Sequence, residues 1–136
     1  MTAERVSPFT HDPESAPFFA AARERRLVVR QCLDCGNGLH TPTVHCPFCG
    51  SWNTDWRESN GEATLYSWTT VMHQVHPAFP VPYTIVVIAL RDKPHAHMVG
   101  MLPGAPELQA GMPMKLWFES LPDGAVLPQW KPAGQR

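Results

Sequence analysis

Cys32-Leu33-Asp34-Cys35-Gly36, followed after a short loop by Cys46-Pro47-Phe48-Cys49-Gly50, decides how this chain is read. Two C-x-x-C pairs at this separation bring four thiolates to tetrahedral metal spacing, and they are the only cysteines in the sequence. A glycine directly after each pair lets the backbone turn tightly and aim N–H groups at the sulfurs. The pattern predicts a structural zinc ribbon, closed to substrate because four protein ligands leave no coordination position open. Iron would use the same sulfurs, and the spacing leaves that alternative open, with zinc the default for so short a loop. Two disulfides are the competing reading, but secreted disulfide scaffolds carry denser cysteine and no leader-like segment opens the chain. His40 and His45 lie inside the loop and are expected to be spectators, since the cysteines already complete the tetrahedron.

Working outward, the run Pro17-Phe18-Phe19-Ala20-Ala21-Ala22-Arg23-Glu24-Arg25-Arg26-Leu27 combines a proline at a helix start with good helix formers and basic residues in the last turn. It predicts one short helix. Val28, Val29 and Arg30 then extend into the first knuckle, and Trp52 to Trp56 leads away from the second. Upstream, Pro8 and Pro13 interrupt a polar stretch that is expected to be irregular.

Beyond Asn60-Gly61 the pattern is that of a small β structure, with strands expected at 63–73, 83–91, 95–102, 114–119 and 125–130. Strict alternation in the first would place Tyr66, Trp68, Thr70 and Met72 on one face and Leu65, Ser67, Thr69 and Val71 on the other. Five strands is the number of an OB-fold barrel. The expected organisation is mainly β: a flexible arm over 1–16, helix and zinc ribbon over 17–60, and an OB-fold domain over 61–136.

The 136 residues suffice for one core-forming domain with a small metal-stapled module. The longest apolar run, Ile85 to Leu90, is too short to cross a bilayer, so a soluble, cytoplasmic protein is expected. A net charge of −1 lacks the field of a nonspecific nucleic-acid binder. Zinc ribbons and OB barrels do occur in single-stranded nucleic-acid binders, and a face carrying Tyr66 and Trp68 would suit stacked bases. Yet Arg91, Lys93, Lys115, Lys131 and Arg136 after Gly61 are balanced by Glu62, Asp92, Glu107, Glu119 and Asp123. Nucleic acid is therefore the weaker alternative.

Several segments in fixed order carry a wider resemblance. They are Pro17 to Phe19 with Arg23 to Leu27, both knuckles with Ser51, Gly61-Glu62-Ala63-Thr64-Leu65-Tyr66-Ser67-Trp68-Thr69, His76-Pro77-Ala78-Phe79 before Pro82-Tyr83, and Gly111-Met112-Pro113. Together they resemble the zinc-ribbon/OB-fold protein family associated with acyl-CoA metabolism. Phe19 stands where that family often has tryptophan, and Val71 to Gln74 has no clear counterpart. The resemblance implies a helix, a rubredoxin-like zinc ribbon and an OB barrel acting as a non-catalytic subunit beside a thiolase-like enzyme. Family members accompany acetoacetyl-CoA thiolase and hydroxymethylglutaryl-CoA synthase, or thiolases acting as retro-aldolases on steroid side chains. Others are domains attached to MaoC-like hydratases.

No cysteine lies outside the metal site and no nucleophile motif appears, so no catalytic residue is assigned. Contacts to the partner or to acyl-CoA are expected at Phe18, Phe19, Arg23, Arg26, His76 and Phe79. The arginines suit coenzyme A phosphates or acidic partner residues. Phe18 and Phe19 diverge by about a hundred degrees on a helix, which leaves one for a partner, with a ribbon packing against both rings the competing explanation. His76 to Pro80 sits between two barrel strands, where OB folds place contact loops. His95 and His97 would share a face on a strand and could chelate, although a surface role is favoured. The expected function is a zinc-stapled adaptor that binds a thiolase-superfamily enzyme and helps position acyl-CoA. A stand-alone acyl-CoA-binding protein is a further alternative.

Overall fold

The structure, a computed structural model, describes residues 5–134. Helix α1 (Ala16–Arg23) starts with Pro17 in its first turn, where a missing N–H costs nothing, and buries Ala21 and Ala22. It leads into a three-stranded antiparallel sheet of β1 (Leu27–Cys32), β2 (Gly38–Leu39) and β3 (Thr54–Ser59), ordered β2-β1-β3. The second sheet holds β4 (Ala63–Val71), β5 (Tyr83–Leu90), β6 (His97–Pro103), β7 (Pro113–Ser120) and β8 (Val126–Pro132), ordered β6-β5-β4-β7-β8. All its pairings are antiparallel. This is the expected OB-like arrangement, with the five strands within a few residues of the predicted bounds. Residues 107–111 are irregular and turn at Ala110-Gly111 before β7. No helix among the described residues is long and apolar enough to cross a membrane.

One core serves both sheets. Leu27 and Val29 of β1 pack with Leu65, Val86, Ile88, Met98 and Trp130 of the barrel, all at most 2% exposed. Each such side chain contributes about 1.5–3 kcal/mol by leaving water. Strand β5 alternates as a half-buried strand does, with Thr84, Val86, Ile88 and Leu90 inward.

The face assignment of β4 needs correction. Leu65 pairs with Ile88 but Ser67 pairs with Val87, so a β-bulge makes Tyr66 an extra residue. Trp68 then lies opposite the buried Val86, on that face of the sheet although 37% exposed, while Tyr66 lies on the other face against His97 with ring centroids 4.4 Å apart. The two rings do not share a face, and the platform for stacked bases is not formed.

Residues 5–15 lie outside any helix or strand, and Ala16, expected to end the arm, is the first residue of α1. Arg5 pairs with Glu119 at 3.3 Å and sits 5.0 Å from the Phe79 ring centroid, so this part of the arm lies over the barrel.

Candidate metal centre and contact surfaces

Both knuckles form the same turn. The Gly36 N–H donates to the Cys32 carbonyl and the Gly50 N–H to the Cys46 carbonyl, each at 2.9 Å, with φ of 82° and 78°. Nothing lies within 4 Å of a Cβ built at either glycine, so the requirement is conformational: an L side chain is strained in this left-handed turn. The turns bring the Sγ atoms of Cys32, Cys35, Cys46 and Cys49 within 4.8 Å of one another. The Cys32–Cys49 and Cys35–Cys46 separations are 3.6 Å. A tetrahedron of about 2.3 Å metal–sulfur bonds has edges of about 3.8 Å, whereas a disulfide would need about 2.05 Å. The four sulfurs therefore fit a four-coordinate metal and are unpaired with one another.

Local hydrogen bonds reach two of the sulfurs. The Cys35 N–H donates to Cys32 Sγ at 3.4 Å and the Asn37 amide to Cys35 Sγ at 3.5 Å. The Cys35 N–H, helped by that of Asp34, lowers the Cys32 thiol to about 7. At Cys49 the Ser51 N–H is outweighed by burial and by the neighbouring Cys32, Cys46 and Cys35 sulfurs, which push the thiol up to about 12, so that without a cation the four thiols do not all ionise. Asp34 clamps one knuckle to the other, accepting from Ser51 Oγ and from the Asn53 amide. Those bonds, Ser51 first, hold its carboxyl below the ordinary range.

Neither loop histidine joins the sulfur group. His45 bonds the Gly50 carbonyl at 3.0 Å and packs on Trp52. His40 packs on Phe18 with centroids 5.8 Å apart, and burial favours its neutral form. The His95/His97 pair does not converge. His95 precedes β6 with φ 65°, stacks on Phe48 and meets Asn37 at 2.9 Å, whereas His97 faces Tyr66. His95 thus joins the barrel to both knuckles, a role with no signal in the sequence.

The expected contact residues fall in three places. Phe18 and Phe19 meet edge to face at 5.2 Å and line a cavity of about 400 Å³ with His40, Val99 and Pro128. Both rings are partly buried there, so the expected divergence does not leave one of them projecting into solvent. Arg26 is engaged by Glu58 at 2.5 Å and Glu24 at 3.1 Å, Arg25 by Ser120 and Arg30 by Thr54. Arg23 is exposed in the last turn of α1, with no ion pair among the described residues. His76 and Phe79 belong to one turn, in which His76 Nδ1 accepts from the Ala78 N–H at 3.0 Å and the Phe79 N–H donates to the His76 carbonyl.

Comparison with known proteins follows the same division. Residues 19–54 match the rubredoxin-like zinc ribbon domain of ChsH2, and residues 56–119 match its C-terminal OB-fold domain. A chain in the solved structure of the Ltp2-ChsH2(DUF35) aldolase is 32% identical, with a TM-score of 0.79 over 93% of this chain and 99% of that one. This chain belongs to the ChsH2 (DUF35) family. A chain with a rubredoxin-like zinc ribbon and an OB fold is what the resemblance implied, and the ChsH2 domains are of that kind. A DUF35 protein of unknown function from Sulfolobus solfataricus is 18% identical with a TM-score of 0.60, covering 77% of this chain and 78% of that one, and shares the fold. A probable enoyl-CoA hydratase alpha subunit of Thermomonospora curvata is 36% identical over 123 residues. That match takes in 88% of this chain, which spans only 38% of the relative's length.

Proposed function

We propose that this ChsH2-family chain is a non-catalytic accessory subunit that binds a thiolase-superfamily enzyme and helps to position its acyl-CoA substrate. The observation that carries the reading is the end-to-end likeness to a chain of the Ltp2-ChsH2(DUF35) aldolase. The metal fits this role as a staple: four cysteine ligands match the zinc that the ribbon family implies and leave it no open position for substrate. Zinc here supplies rigidity, and bond-making belongs to the partner. The exposed guanidinium of Arg23, together with the apolar cavity beside Phe18 and Phe19, supports a contact surface along α1.

Co-expression with a thiolase-like chain from the same genome, followed by size-exclusion chromatography with light scattering, tests the proposal. One peak containing both chains is expected. Separate elution, with the enzyme's thioester turnover unchanged by adding this chain, would remove the adaptor role. An enoyl-CoA hydratase is the second candidate for the partner, favoured by the Thermomonospora curvata relative, and enters the same assay as an alternative bait.

A further inference from the structure

Strands β6 and β8 end the sheet order on opposite sides, so no backbone ladder joins them. A side chain spans the seam. Gln129, 6% exposed, accepts the Met101 N–H on Oε1 at 2.8 Å and donates through Nε2 to Glu119 Oε1 at 3.0 Å. Gly100 permits the approach, because a Cβ there would lie 3.2 Å from Gln129 Oε1 and 3.3 Å from the Trp130 nitrogen. A buried amide therefore holds the Glu119 carboxylate in one orientation at the barrel surface.

Around that carboxylate is a groove of about 300 Å³ whose walls include Phe79, Tyr83, Met101 and Trp117. A fixed carboxylate among aromatic walls suits a planar, weakly hydrated cation better than a compact ammonium. The chain itself supplies one, since Arg5 reaches Glu119 at 3.3 Å and stands over Phe79. Arg5 arrives on an arm whose residues 5–11 make no backbone hydrogen bond to other described residues. With the two side chains 22% and 24% exposed, an ion pair of this kind is worth about 1 kcal/mol and can be exchanged for another.

We propose that the groove is an arginine-reading docking site, held by Arg5 in the free chain and taken by an arginine-bearing segment of the partner protein in the complex. The subunit reading supplies only the protein that brings the arginine; the site stands on charge complementarity within this chain. The test uses the full chain carrying Arg5→Ala, which vacates the site, and a fluorescent peptide of residues 2–9 added in trans. Anisotropy should show saturable binding to this variant. Binding should weaken about five- to tenfold for the intact chain, for a peptide carrying Arg5→Ala, and for the variant carrying Glu119→Gln as well. Near-UV circular dichroism checks that the Glu119→Gln protein keeps its packing. Equal binding of the two peptides, or none by the native one, would overturn the site even where the partner enzyme co-elutes. An Arg5-dependent dimer of the intact chain in light scattering would overturn it too, by making a second copy the occupant.

Discussion

Asp92 shows how much one side chain can fasten. It accepts from Ser59 Oγ at 2.7 Å and from the Asn60 N–H at 2.9 Å, binding the end of β3 and the link after it to the turn between β5 and β6. Burial pushes its carboxyl up, but the Ser59 hydroxyl, the Asn60 N–H and the Lys93 ammonium outweigh that and hold it below its ordinary value. A carboxyl with a depressed folded value stabilises the fold above its unfolded value, and the contribution fades as pH falls through the folded one. Asp92→Asn should therefore cost about 1 kcal/mol at pH 7 and less below pH 4. Urea midpoints measured across that range check the sign, and a deficit that grows on acidification would refute it. None of this is legible in the sequence, where Asp92 belongs to a turn 33 residues from Ser59.

At the scale of elements, the link between ribbon and barrel turns on Gly61. Its φ is 77°, and a Cβ there would lie 2.5 Å from Leu116 Cδ2 and 3.1 Å from Leu116 Cβ. Gly61→Ala should cost about 1–3 kcal/mol, from backbone strain and displacement of Leu116. A lowered midpoint with an unchanged denaturant slope is the expected result, and an unchanged midpoint would refute the packing described for the link. The strands were visible because β-branched and aromatic runs mark them. The bulge at Tyr66 was not visible. One inserted residue leaves composition untouched while reversing every later side chain of β4, which is why Tyr66 and Trp68 looked like neighbours.

For the whole molecule, the metal ligands were legible because they sit in two local C-x-x-C turns, where sequence spacing and spatial spacing coincide. The seam site was not, since Arg5 and Glu119 meet across 114 residues and only the fold brings them together. The sharing of one core by Leu27 and Val29 with Trp130 is of the same kind. It means that the ribbon is no loose appendage: its first strand is part of the barrel's interior, and an ion held by the four sulfurs would steady one end of that strand at Cys32. An adaptor needs this rigidity, because a docking surface that reorders on binding gives up affinity. Native mass spectrometry of the purified chain tests the foundation most directly, by weighing the ion and the thiol protons together. One zinc ion per chain is expected, lost only on acidification or strong chelation with the near-UV signal lost alongside it. A metal-free folded chain lighter by four hydrogens, its sulfurs joined as two disulfides, would contradict it.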